Sequence, residues 1–130
     1  MSELATGQQI RLTLPIPPSV NHCYFTKSNG QRILKKEAKH WIAQAQMIGM
    51  VAKGYQAWQF SENEKLIMEL TVYWQDKRRR DMSNLHKLIA DSLEGVLYAD
   101  DKWLLIRDID FDYDKANPRV EMVVRHLDEN

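Results

Sequence analysis

Asp81, Lys87, Asp100 and Asp101, with the run Arg78-Arg79-Arg80 just ahead of them, are the side chains a phosphodiester-cleaving site needs. Carboxylates that share a divalent metal let it polarise a phosphate and generate a hydroxide nucleophile. Arginines hold phosphate oxygens, often through two parallel hydrogen bonds. Asp81, Asn84, Lys87 and Asp91 fall on one face of a helical pattern. Alone, such a face is an ordinary solvated ion-pair network. Here it opens at a helix N-terminus, where backbone N–H groups favour anions, directly after three arginines. Asp100-Asp101 alone is a common turn dipeptide. The chain from Gly95 to Asp101 must reach back along the helix to meet Asp81. Seven near-extended residues span roughly 20 Å, and the helix is some 15–20 Å long, so the reach is feasible.

The elements that position these residues are readable from periodicity. Ile10, Leu12 and Leu14 alternate with polar residues as a first strand. Pro15, Pro17 and Pro18 stop it. Ser19 to Arg32 lacks periodicity and reads as a long loop. Lys35 to Val51 carries an apolar stripe (Ala38, Trp41, Ile42, Ala45, Ile48) that predicts a helix, with Gly54 as its stop. Leu66 to Trp74 is β-rich. Asp81 or Ser83 caps a second helix running to about Leu93 and ended by Gly95. Trp103 to Tyr113 and Arg119 to His126 are further strands around a turn at 115–118. The order β-α-β-α-β-β implies an α/β (α+β) domain of two layers, with a single mixed sheet carrying the helices.

At 130 residues the chain is expected to form one domain over 1–130, with a polar, frayed tail at 1–8. The formal charge is +0, yet residues 1–60 carry seven Lys/Arg against two acids, and residues 61–130 eleven against sixteen. The basic half suits a polyanion and the acidic half divalent cations. Neutral totals argue against strong non-specific nucleic-acid binding through net charge alone, and leave room for a local basic surface. The lone Cys23 excludes an internal disulfide and suits a reducing compartment. No apolar run nears the ~20 residues of a membrane span, and no signal peptide opens the chain. A cytoplasmic protein without membrane contact is therefore expected. No phosphate-cradling Gly-rich loop is present, so no nucleotide cofactor is expected.

The string RRRDMSNLHKLIADSLEGVLYADD, residues 78–101, resembles the core motif of the RusA-like Holliday junction resolvases, roughly R-R-x-D-x-D-N-x-x-K, then D-A/S-L, a Gly and D-D. LTLPIPPSVNHCYF, residues 12–25, resembles that family's amino-terminal pattern of a strand, Pro-Pro-Ser, Asn and an aromatic. The resemblance covers about residues 10–127. It implies a small homodimeric nuclease with a mixed α/β fold that cuts four-way DNA junctions in recombination and repair, using Mg²⁺ or, as a substitute, Mn²⁺. It implies catalytic roles for Asp81, Lys87 and Asp101, with Asp81, Asp100, Asp101 and Ser83 at the metal. Lys87 would neutralise charge on the scissile phosphate or departing oxygen, and Asp91 would partner Lys87. One departure matters: Ser83 stands where the family has its second Asp. A hydroxyl is a neutral, weaker ligand for a hard cation. Ser83 either serves through its hydroxyl or a water, or it leaves a protein that binds junctions and cuts them poorly.

Arg78, Arg79 and Arg80 would then contact the DNA backbone, which positions a protein without reading sequence. Asn21 and Tyr24, in the long loop, would also face DNA, where Tyr24 or Phe25 can stack on an unpaired base. Lys35, Lys36 and Lys39 read as a solvated helix start or as further DNA contacts. Asp108, Asp110, Asp112 and Asp114 alternate with Ile109, Phe111 and Tyr113, which predicts a half-buried strand with its acids on one solvated face. A calcium loop over this stretch is excluded by Lys115 and Pro118 at its sixth and ninth positions. His22, His40, His86 and His126 lack metal-ligand spacing. Trp41, Trp58, Trp74 and Trp103 are expected in the core or at a dimer surface.

Overall fold

The computed structural model describes residues 8–19, 23–78 and 80–127. Asn21, Arg79 and positions 1–7 of the expected tail lie outside the described residues. Gln8 is no loose end: its amide donates to Ala57 O at 2.6 Å, and its oxygen accepts from Gln59 N at 3.2 Å.

The strands and helices run in the order β1 (Gln9–Leu14), β2 (Tyr24–Thr26), β3 (Arg32–Leu34), α1 (Lys36–Tyr55), β4 (Leu66–Trp74), α2 (Ser83–Leu93), β5 (Leu104–Tyr113) and β6 (Arg119–His126). A four-stranded mixed sheet has the order β1-β6-β4-β5, with β4 and β5 parallel and the other pairs antiparallel. The fold is α+β, as the periodicity predicts. The segment read as a loop holds one addition, the short hairpin β2–β3. Its three-residue strands carry too little pattern to announce themselves.

Alternation decides which face is buried. Ile10, Leu12 and Leu14 of β1, Val120, Met122 and Val124 of β6, and Leu66, Met68, Leu70 and Val72 of β4 all join one core. Ala38, Trp41 and Ala45 of α1 and Leu85, Leu88, Ile89 and Leu93 of α2 enter the same core, so both helices cover one face of the sheet. Two indoles are also anchored by polar bonds, Trp41 Nε1 to Pro15 O at 2.8 Å and Trp58 Nε1 to Leu97 O at 2.9 Å. Where α1 crosses α2 the approach is close: a Cβ on Gly49 would meet Leu93 at 2.9 Å and Val96 at 3.2 Å. Gly54 does not stop α1, which runs on to Tyr55, and Ala57 takes the left-handed turn at φ 55°. Gly95 ends α2 as expected, at φ +86°, a conformation glycine adopts without steric cost.

The expectation for β5 is corrected. Leu70 pairs with Asp108, but Thr71 pairs with Asp110, so Ile109 is an extra residue, a β-bulge. The bulge inverts the facing of everything after it. Asp108 shares the helix side with Leu70, whereas Asp110 and Asp112 pair with Thr71 and Tyr73 on the other side. The acids therefore do not share one face. Phe111 and Tyr113, paired with Val72 and Trp74, take the helix side, yet no helix covers them: α2 begins only at Ser83. Ile109, Phe111 and Tyr113 are 56%, 65% and 45% exposed.

Candidate active site

The crossover β4–α2–β5 positions the site. Asp81 precedes α2 and caps it: its Oδ1 accepts from Ser83 N at 3.1 Å and from the Ser83 hydroxyl at 2.8 Å. Such a carboxylate satisfies helix N–H groups that would otherwise lack partners. It also lies with the positive end of the helix dipole. Ser83 thus gives its proton to Asp81. Both residues are exposed, and Asp81 and Asn84 border a cleft of about 1100 Å³ that Arg78, Arg80, Asp108 and Phe111 also line.

The three arginines diverge. Arg80 is stitched into its own loop, with a 2.7 Å ion pair to Asp76, bonds to Asp76 O and Arg78 O, and its guanidinium 5.0 Å from the Trp74 ring centre. Arg78 is largely solvent-exposed, with only a loose 3.7 Å pair to Asp76. The Arg78 N–H, then the Arg80 guanidinium, hold the Asp76 carboxyl below its ordinary value.

Further along α2, Lys87 Nζ donates to Asp91 Oδ2 at 3.2 Å. That bond, first among the causes, raises the Lys87 pKa, with smaller contributions from Tyr24 and Asp101. Lys87 is thus bonded to Asp91 and lies within electrostatic reach of Asp101 and the Tyr24 phenol. Tyr24 is half-buried, and the Arg32 guanidinium lies 4.6 Å from its ring centre, so hairpin β2–β3 sits beside Lys87 with one aromatic face already covered.

At the end of α2 the chain turns through Gly95 and returns along Tyr98, whose buried hydroxyl donates to Ala90 O at 2.6 Å. Burial, then the charges of Asp101, Glu94 and Asp91, drives that phenol's pKa far up. The return leg delivers Asp100 and Asp101 to Glu94. One carboxylate oxygen from each of Glu94, Asp100 and Asp101 lies within 4.8 Å of the others. The Asp101 N–H donates to Glu94 Oε1 at 2.8 Å, and Asp100 Oδ1 caps the following turn by accepting from Lys102 N at 2.9 Å. Partial burial, a hydrogen bond shared with Asp91, and the charges of Glu94, Asp91 and Asp100 raise the Asp101 pKa.

Of the residues singled out from the sequence, Asp100, Asp101, Lys87 and Asp91 come together, joined by Tyr24. Asp81 and Ser83 pair with each other at the opposite end of α2. Ten residues of helix rise separate the backbone of Asp81 from that of Asp91 by ~15 Å along the axis. Asp81 is not a member of the three-carboxylate group, which is the one such group of three or more metal-ligating side chains among the described residues. Glu94 is the member that sequence reasoning missed. It follows the last apolar residue of α2, where a Glu reads as a solvated terminus; its adjacency to Gly95, which folds the chain back, is the signal that was available. His86 was also passed over: its Nε2 lies 2.8 Å from Asp108 Oδ1 and ties α2 to β5.

Cys23 is buried, its thiol donating to Ser19 O at 3.0 Å, and burial pushes its pKa up, so it is no nucleophile. Among the described residues no helix is long and apolar enough to cross a membrane.

The oxygen-only donor set of Glu94, Asp100 and Asp101 fits a hard divalent cation. The Lys87 ammonium on the same helix, and the arginine-lined cleft at the helix's other end, suit a sugar–phosphate backbone. No curated protein matches the chain. Residues 15–125 match the family described as Endodeoxyribonuclease RusA, and with most of its length so matched, the chain belongs to that family.

Proposed function

We propose that the protein resolves four-way DNA junctions by divalent-metal-dependent phosphodiester hydrolysis, in recombination and repair. The observation that carries this reading is the carboxylate group Glu94, Asp100 and Asp101 beside Lys87, in a member of an endodeoxyribonuclease family. Mg²⁺ is the proposed ion and Mn²⁺ its substitute, with Asp101, Asp100 and Glu94 as ligands. When bound, the ion supplies a polarised phosphate and an activated water. Lys87 Nζ, oriented by Asp91, holds a non-bridging oxygen of the scissile phosphate and stabilises charge as it develops there. Asp81 is the carboxylate at the cleft mouth; together with Ser83 it keeps a proposed catalytic and metal-binding role there, for an ion distinct from the one held by Glu94, Asp100 and Asp101. Arg78 holds a flanking phosphate, and Arg79 and Asn21 remain proposed DNA contacts. Tyr24 borders the DNA path beside Lys87.

A two-fold dimer accounts for paired cuts, since a junction offers two equivalent strands and each protomer one site. The protein is taken to work in the cytoplasm without a nucleotide cofactor, in keeping with its single buried thiol and its lack of a phosphate-binding Gly-rich loop. A second reading, junction binding with poor cleavage, is favoured by one observation: the Ser83 hydroxyl, neutral where the resemblance implies a carboxylate, spends its proton on Asp81.

The test is a labelled four-way junction against a matched linear duplex, each with Mg²⁺, Mn²⁺ or EDTA, for the wild type, Asp101→Asn and Asp81→Asn. Metal-dependent symmetric cuts confined to the junction and lost in the variants support cleavage. Tight junction binding without cuts in any metal supports the second reading. Equal binding to both DNAs with no cuts refutes both.

A further inference from the structure

We infer that Phe111, re-aimed by the β5 bulge, is a stacking platform for an unpaired nucleobase, with the phosphates flanking that base held by Lys77 and Arg78. The inference rests on the DNA-cleaving reading and adds to it where the DNA is opened.

The bulge at Ile109 turns Phe111 and Tyr113 to the helix side of the sheet, beyond the point where α2 could cover them. An aromatic left 65% exposed on the face that is elsewhere the core is a contact surface that no helix among the described residues covers. Phe111 lines two cavities, together with Trp74, Arg78 and Arg80. One is the 1100 Å³ cleft that contains Asp81. The other, about 400 Å³, is bordered by Trp74, Lys77, Arg78, Arg80, Phe111 and Tyr113. That volume lies in the usual range for small-ligand sites. Lys77 lies 5.0 Å from the Tyr113 ring centre and Arg80 5.0 Å from that of Trp74. The wall keeps a basic balance: Lys77, Arg78 and Arg80 stand against Asp76, which pairs with both arginines, and Asp112, which accepts from the Tyr113 N–H. Aromatic rings interleaved with basic side chains are what single-stranded nucleic acid recognises, the rings taking bases and the cations phosphates.

Strand addition by a second copy fits the same patch less well. Asp110 and Asp112 occupy the N–H groups of Phe111 and Tyr113, at 2.8 Å each, so two donors of this edge are already taken. An antiparallel self-pairing would also set these acids opposite one another, which is destabilising.

The experiment uses the full protein in EDTA, so that binding is read without cleavage. The probe is a four-way junction carrying 2-aminopurine at the crossover, with a linear duplex as control. Phe111→Ala is expected to weaken junction binding by ~5- to 150-fold, the range one base–aromatic stack is worth. It should leave the salt dependence unchanged and brighten the bound 2-aminopurine. Phe111→Trp should restore both affinity and quenching. Arg78→Ala should instead lower the salt slope by about one phosphate. Junction affinity and quenching unchanged in Phe111→Ala would overturn the inference alone. So would a dimer seen by ultracentrifugation in the wild type and lost in that variant, which would make the patch a protein interface. A wild type that binds no DNA would overturn the proposed function and this inference with it.

Discussion

Glu94→Gln separates a metal site from an ordinary acidic turn, because the two predict opposite signs in one variant. Gln keeps the oxygen that accepts from the Asp101 N–H at 2.8 Å, so the turn is held as before. What it removes is one negative charge within 4.8 Å of two others. In water-like surroundings a unit charge and a divalent ion ~4 Å apart attract by ~2 kcal/mol, so the variant should bind Mg²⁺ or Mn²⁺ ~30-fold more weakly. Without metal the same change relieves repulsion with Asp100 and Asp101. At an exposed site that relief is ~1 kcal/mol at most, a rise in Tm of up to ~4 °C for a domain of this size.

The assay is a pair of melts, in EDTA and across a Mg²⁺ titration, with calorimetric Mn²⁺ binding as the direct measure. The expected pattern is a variant more stable than the wild type in EDTA and less stable at saturating metal, the two curves crossing as the ion is added. Ligand binding stabilises the native state in proportion to occupancy, so the crossing point reports the loss of affinity. A variant that melts no higher than the wild type in EDTA and binds Mn²⁺ as tightly would refute the assignment of Glu94 to the ligand set. If Asp101→Asn then still weakened binding, the ion would belong elsewhere around Asp101.

Other perturbations test the remaining parts. Lys87→Met should cost ~10²–10³-fold in the cleavage rate constant, as loss of one preorganised donor does, while junction affinity in EDTA changes by less than about threefold; single-turnover cleavage alongside a binding titration reads both. Gly49→Ala pushes a methyl into Leu93 and Val96 beneath the end of α2, and should destabilise by ~1–3 kcal/mol, seen as a lower denaturation midpoint. Asp76 has a folded-state pKa below its ordinary 3.8, so its contribution is present above that value and is lost as pH falls below it. Wild type should therefore outlast Asp76→Asn in melts at pH 7, with the difference shrinking as pH falls below 3.8; a difference that does not shrink on acidification would refute the linkage.

The legible parts of this fold were those where a period ran unbroken against one partner. The alternation of β1 and the stripe of α2 named core-facing residues, because each packs on a single continuous layer, and the β-rich run Leu66–Trp74 was legible as a strand. Gly95 was legible because a chain returning from α2 needs a left-handed residue there. β5 was not. Its alternation of acid and apolar residues reads as one clean strand, but the register to β4 slips at Ile109. Nothing local in Asp-Ile-Asp-Phe-Asp-Tyr announces a bulge; it emerges from pairing with Leu70 and Thr71, a contact distant in sequence. The consequence is functional, since the slip puts Phe111 on the cleft wall, while Asp108, just ahead of it, stays on the helix side and meets His86.

The candidate site shows the complementary limit. Helical spacing specifies the side of α2 on which Asp81, Lys87 and Asp91 lie, and it says little about height. Each turn adds ~5.4 Å, so residues on one face can still be too far apart to share an ion. Asp81 is spent on starting the helix, through Ser83, and the crowded carboxylates gather where the helix stops and the chain reverses. That crowding has a physical signature independent of any motif: the Asp101 carboxyl is harder to ionise because it is partly buried and faces Asp91, Glu94 and Asp100. Four acids held against one another carry a cost in repulsion. A cation turns that repulsion into attraction, which is why the melts in EDTA and Mg²⁺ bear on function as well as stability.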